Sequence, residues 1–165
     1  MKQWKSTDKL TALVVTFFGS GTLPKMPGTW GSLAAAILAY PISFFCFPGC
    51  FALLAAIVFF VGVPFVAKAM KDTGTDDPGW IVIDEIAGQW LAFAFIPPEI
   101  VSENIWLPLV GFALFRFFDI LKPLGIHKLE SLPGAWGVMA DDVLGGVYAG
   151  VLIALGYNFL PRLLG

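Results

Sequence analysis

Apolar residues in this chain gather into long blocks, separated by short stretches rich in Gly, Pro and charge. Blocks at 32–47, 51–70, 81–96, 105–121 and 143–160 are read as membrane spans, the first interrupted by Pro41 and the second carrying Pro64. Residues 10–18 are too few to cross a bilayer and are read as an interfacial or core helix. Each longer block approaches the ~20 residues that a straight span requires. Strand-length alternation is absent, and backbone groups in lipid must be satisfied within their own segment, so helices are the default. The pattern predicts an all-α protein, a compact polytopic membrane helical bundle of five spans. The number falls to four if the proline-broken first block only dips into the bilayer.

Composition strengthens this reading. Hydrophobic residues make up 58% of the 165 residues and the mean hydropathy is +0.81, against about 45–50% apolar usage in soluble domains. The length predicts one domain over 1–165. The polar start, without a small-residue cleavage site, predicts a flexible tail over 1–9 rather than a signal peptide. A net charge of −2 and scattered Lys and Arg argue against nucleic acid as a partner. The basic residues cluster before the first block (Lys2, Lys5, Lys9, Lys25), at the close of the second (Lys68, Lys71) and around the end of the fourth (Arg116, Lys122, Lys128). This bias predicts a cytoplasmic N-terminus, with Arg162 on the wrong side. The polar segments 19–32, 71–85 and 116–142 then all share the cytoplasmic face.

Charge placement supplies the candidate chemistry. Asp84-Glu85, Asp119 and Asp141-Asp142 sit at the ends of apolar blocks, with Arg116 and Lys122 beside them. Charges at membrane depth are costly and persist where they pair, bind an ion or meet a polar substrate. Clustered carboxylates repel unless something cationic lies between them. Asp84 and Gly88 fall one turn apart on one helix face, and the Gly permits close approach of another element. Arg116, Asp119 and Lys122 repeat every three residues along one stripe that Pro123 ends; Arg and Lys there suit a phosphate. Asp141 and Asp142 point about 100° apart on a helix, so one metal serves both only at close range, and Gly145-Gly146 clear the wall beside them.

Magnesium fits this donor set, because it takes oxygen ligands and is held by few carboxylates together with substrate phosphate. Cys46 and Cys50 lack the partners of a zinc site and are read as apolar packing at a helix end, with an accessible disulfide or a reactive pair as the alternative. His127 reads as an interfacial polar residue. The Gly/Pro-rich stretch 19–32 carries Thr29 and Ser32, which are read as phosphate-binding hydroxyls at a helix start or, more plainly, as its caps. It is not a Walker A loop.

Together the stretches GSGTLPKMPGTWGSLAA (19–35), KDTGTDDPGWIVIDEIAG (71–88), FRFFDILKP (115–123) and GAWGVMADDVLGGVYAG (134–150) resemble the phosphatidylglycerophosphatase A family in order and spacing. The resemblance implies a magnesium-dependent phosphatase of the bacterial inner membrane, multi-pass, with its site facing the cytoplasm. Such an enzyme hydrolyses phosphatidylglycerophosphate to phosphatidylglycerol and phosphate in phospholipid biosynthesis. It carries catalytic roles onto Asp84, Glu85, Asp119 and Asp142, metal ligation onto Asp84, Glu85, Asp141 and Asp142, and phosphate contacts onto Arg116 and Lys122. Asp72 and Asp77 match the family pattern with less defined roles. Leu124-Gly125, Ala140 and Gly145 depart from it, leaving every charged position filled. The alternatives are a small ion-coupled transporter, which would place acids in both membrane halves, and a lipid phosphatase for another head group such as phosphatidic acid. Oligomeric state is not legible.

Overall fold

The computed structural model describes residues 3–123 and 125–164, and side chains within 5–123, 125–129 and 131–159. The expectations attached to Lys2, Leu124 and the side chain of Arg162 lie outside these. All regular structure among the described residues is helical: α1 (Lys9–Val15), α2 (Pro27–Ser43), α3 (Cys50–Thr73), α4 (Ile83–Ala92), α5 (Pro98–Glu103), α6 (Leu107–Leu121), α7 (Ile126–Glu130) and α8 (Ala135–Leu164). Short 3-10 turns lie at Gln3–Ser6, Ser20–Thr22 and Phe93–Phe95.

Among the described residues, two helices are long and apolar enough to cross a bilayer. One is α3, 24 residues with a hydropathy of 2.7; the other is the stretch Ala135–Phe159 of α8, 25 residues with a hydropathy of 1.7. Leu53, Ile57, Phe60 and Val61 of α3 point away from the protein, a surface suited to lipid. The blocks at 32–47 and 105–121 become α2 and α6, of 17 and 15 residues. The expected start of α2 moves one turn earlier: Met26 caps it and Pro27 takes the first position, so neither Thr29 nor Ser32 is the cap.

The expected span at 81–96 is corrected most. It folds as α4, ten residues long, followed by the turn Phe93–Phe95. Ten residues rise roughly 15 Å, half of a hydrocarbon core. Ile83, Ile86, Ala87, Trp90 and Ala92 are all buried, so this apolar block faces protein rather than lipid. Hydropathy scores both surroundings alike. The Trp90 indole N–H donates to the Ala35 carbonyl of α2 at 3.0 Å, and the Val82 N–H to the Val15 carbonyl at 2.8 Å, tying α4 into the centre. On its other side α4 crosses α8 backbone to backbone, where Gly88 lies against Gly146 and against the Asp142 carbonyl.

The segment read as a flexible tail is structured from Gln3 on. Asp8 caps α1, its Oδ1 accepting from the Leu10 and Thr11 N–H groups at 3.0 Å each. Lys68 of α3 lies 3.1 Å from Asp8 and 2.6 Å from Asp72, and the Thr7 hydroxyl donates to Asp72 at 2.6 Å. Asp72 thus anchors the N-terminal segment. The Thr11 hydroxyl above all, then the Thr11 N–H and Lys68, holds the Asp8 carboxyl well below the usual carboxylate range. A depressed pKa means the contribution is present above the ordinary Asp value and is lost as the pH falls through the folded one. Asp8→Ala is expected to lower the melting temperature in detergent near neutral pH while leaving turnover unchanged, measured by thermal unfolding beside a phosphate-release assay.

Candidate active site

The helices alternate in direction, so the start of α2, the end of α3, the start of α4, the end of α6 and the start of α8 meet at one end of the bundle. The starts of α2, α4 and α8 and the end of α6 each bring a polar group there. Asp84 and Glu85 occupy the first turn of α4, where carboxylates complement the helix dipole. Asp84, Asp141 and Asp142 are buried. One carboxylate oxygen each from Asp84, Glu85 and Asp142 lie within 4.8 Å of one another. Asp84 Oδ1 and Glu85 Oε2 are buried and meet no hydrogen-bond partner among the described residues. Unpartnered buried acceptors converging at this range, with no nitrogen or sulfur donor among them, make a set that could hold a hard metal ion.

The cations flank this cluster. Arg116 pairs with Asp119 one turn away, while its Nη1 lies 3.9 Å from Glu85 Oε1 and donates to Ser32 Oγ at 3.5 Å. Ser32 Oγ in turn donates to the Gly28 carbonyl at 2.8 Å. Gly28 itself is a close-approach position, since a Cβ there would fall on Glu85 Oε1 and 3.2 Å from Arg116 Nη1. The Gly/Pro-rich stretch therefore admits the acid and the arginine against α2. Lys122 ends α6 in a left-handed conformation, φ 44°, and its Nζ donates to Asp141 Oδ2 at 2.6 Å. A cavity of about 120 Å³ is lined by Asp77, Gly79, Ile81, Asp84, Glu85, Asp119, Lys122, Val138, Asp141 and Asp142.

Sequence reasoning named most of these residues, and the structure sorts them. Three of the four expected metal ligands converge, whereas Asp141 turns to Lys122, as adjacent helical acids pointing apart allow. Ser32 is engaged with Arg116, and the Thr29 hydroxyl is buried without a partner among the described residues. Gly145 meets only ordinary van der Waals contacts, and it is Gly146 that makes room for α4. His127 is exposed on α7, apart from the cavity lining. One residue went unnamed in the sequence reading: Gln89, fully buried one turn after Glu85, whose amide has no hydrogen-bond partner among the described residues. A glutamine inside an otherwise apolar helix, four residues beyond an acid, was the available signal.

The acids gather at one end rather than in both halves, as a hydrolase site requires and a relay across the membrane does not. The family model for Phosphatidylglycerophosphatase A matches residues 13–157. The chain belongs to this family. Among curated relatives it is 41% identical to Phosphatidylglycerophosphatase A of Haemophilus influenzae over 142 residues, 86% of this chain and 85% of that one. It is 34% identical to the Escherichia coli protein of the same name over 149 residues, 89% and 84% of the two chains. A Bacteroides thetaiotaomicron protein named "Putative phosphatidylinositol-3-phosphatase" is 39% identical over 155 residues, 92% of this chain and 96% of that one. No solved structure matches the chain. Membership makes the protein a phosphatase of phospholipid metabolism, and the end of the bundle that carries the carboxylates and their cations is its candidate active site.

Proposed function

We propose that this protein is a Mg²⁺-dependent phosphatase of the bacterial inner membrane that hydrolyses phosphatidylglycerophosphate to phosphatidylglycerol and phosphate. The observation that carries the reading is the convergence of Asp84, Glu85 and Asp142 within 4.8 Å beside Arg116 and Lys122. Those three acids would hold the ion, with Asp141 reaching it or a second one once Lys122 engages substrate. When bound, Mg²⁺ supplies Lewis-acid polarisation of the phosphoryl group and a more acidic water. Arg116 and Lys122 neutralise non-bridging phosphate oxygens as charge shifts in the transition state. Asp119 holds the Arg116 guanidinium in place; as the remaining acid beside the cluster it is also the candidate base. Thr29 offers its buried hydroxyl to the same phosphate.

Orientation is part of the proposal. The Cys46–Cys50 disulfide (Cα–Cα 5.5 Å) lies across the turn from α2 into α3, at the end opposite the acids. Disulfides persist in the oxidising periplasm, and together with the Lys bias this supports a cytoplasmic face for the acids. The lipid then keeps its acyl chains in the inner leaflet while its phosphate enters the cavity. Purified protein is expected to release phosphate from phosphatidylglycerophosphate with Mg²⁺, to stop in EDTA and to recover on adding Mg²⁺. Phosphatidylinositol 3-phosphate, the head group in the Bacteroides relative's name, runs in parallel. Release from that lipid alone, or release unaffected by EDTA, would sink the proposal.

A further inference from the structure

Gln89 lies one turn further into the bundle than Glu85, outside the lining of the carboxylate cavity. It is fully buried, and a spacing of four residues puts it on the same face of α4 as Glu85. The register of α2 against α4 fixes its level. Glu85 lies against Gly28, and the Trp90 indole bonds the Ala35 carbonyl. Gln89 therefore falls level with Ser32, the residue that Arg116 Nη1 reaches, so Glu85, Gln89 and Arg116 share one seam between α2, α4 and α6. We infer that Gln89 is a positioning residue that couples Glu85 to Arg116. Its amide N–H donates to Glu85 Oε2 and its carbonyl accepts from Arg116 Nε, directly or through one enclosed water, which fixes the aim of the carboxylate toward a metal ion. The inference rests on the metal-dependent reading above and adds a residue to its machinery.

Among the described residues, Glu85 Oε2, both polar atoms of the Gln89 amide and Arg116 Nε are buried without a hydrogen-bond partner. Their chemistry is complementary. An ionised carboxylate only accepts, a guanidinium only donates, and a side-chain amide does both. One glutamine thus satisfies an acid and a base whose other atoms, Oε1 and Nη1, already lie 3.9 Å apart. Arg116 engages Asp119 and Ser32 through Nη1, and Nε is the buried donor still in need of an acceptor. Packing gives no reason for an amide here, because unpaired buried polar groups cost stability and an apolar side chain of the same shape does not. The neighbours Ile86, Ala87, Trp90 and Ala92 are all buried and apolar in the expected way. A ligating carboxylate, by contrast, is oriented by the hydrogen bonds that its remaining lone pairs accept.

The test compares the wild-type protein in detergent with Gln89→Met, which keeps the length of the side chain and removes both polar functions. Thermal unfolding is followed in EDTA and across a Mg²⁺ titration, with phosphate release from phosphatidylglycerophosphate measured in parallel. The Mg²⁺ concentration that gives half of the thermal shift is expected to rise about tenfold, the lower end of the range for residues that orient metal ligands. The kcat at a Mg²⁺ concentration saturating for the wild type should fall by a similar factor, with KM changed less than twofold. A residue that only packs would move the melting temperature in EDTA and leave the Mg²⁺ midpoint alone. An unchanged midpoint overturns the inference, whatever the stability. Gln89→Asn keeps the amide and withdraws it by one carbon, and it decides by the same midpoint if the Met variant does not fold. A wild-type protein whose melting temperature does not respond to Mg²⁺ strikes the parent reading instead, and the role of Gln89 falls with it.

Discussion

Asp142→Asn is expected to lower phosphate release about 10³-fold, the scale on which one preorganised electrostatic group at the reacting centre counts. The substitution keeps the shape of the side chain and removes a single charge from the group formed with Asp84 and Glu85. Because these carboxylates repel in the absence of a cation, the variant should fold at least as well as the wild type in EDTA. The two proteins separate when metal is added. Mg²⁺ should raise the melting temperature of the wild type, as any ligand of the native state does, and should have little effect on the variant. Retained turnover in folded Asp142→Asn would remove this carboxylate from the chemistry. Lost turnover with an undiminished Mg²⁺ shift would move the ion elsewhere.

The second large effect concerns the helix crossing that holds the site together. Gly146→Ala is expected to destabilise the protein by about 3 kcal/mol, the upper end of overpacking penalties. A Cβ at Gly146 would fall on the Gly88 carbonyl and 3.0 Å from the Gly88 Cα. Backbone on both sides leaves no flexible side chain to give way, so α4 and α8 must separate. Separation also moves Asp84 and Glu85 away from Asp142, and activity should fall with stability. Gly156→Ala on the same helix is the control, because a Cβ there meets nothing within 4 Å, and alanine favours a helix over glycine. Thermal unfolding of both variants in one detergent decides the matter. Equal melting temperatures would mean that the crossing is looser than its geometry.

The two predictions draw on different kinds of information. Asp142 is legible in the chain as a charge in an apolar helical block, and the same holds for Asp84, Glu85, Asp119, Arg116 and Lys122. Charge in an apolar surrounding is costly wherever it occurs, so its position in the sequence already marks a site. The helical class follows in the same way, from block length and from the need to satisfy backbone groups locally. Gly146 is different. Gly145 and Gly146 look alike along the chain, and only the crossing of α8 over α4 assigns the close contact to one of them.

Sequence by itself thus determined the all-helical class, the family, the acidic and basic residues of the candidate site and their gathering on one side. Each is a local or additive property: hydropathy over a window, charge at a position, motifs at a spacing. Tertiary structure alone decided that the block at 81–96 is a short buried helix rather than a span, because apolar residues bury equally well against protein and lipid. It also decided that Asp141 faces Lys122 while Asp142 joins Asp84 and Glu85, and that Ser32 braces Arg116. These depend on which helix faces meet, and contacts between residues far apart in the chain have no periodic signature within it.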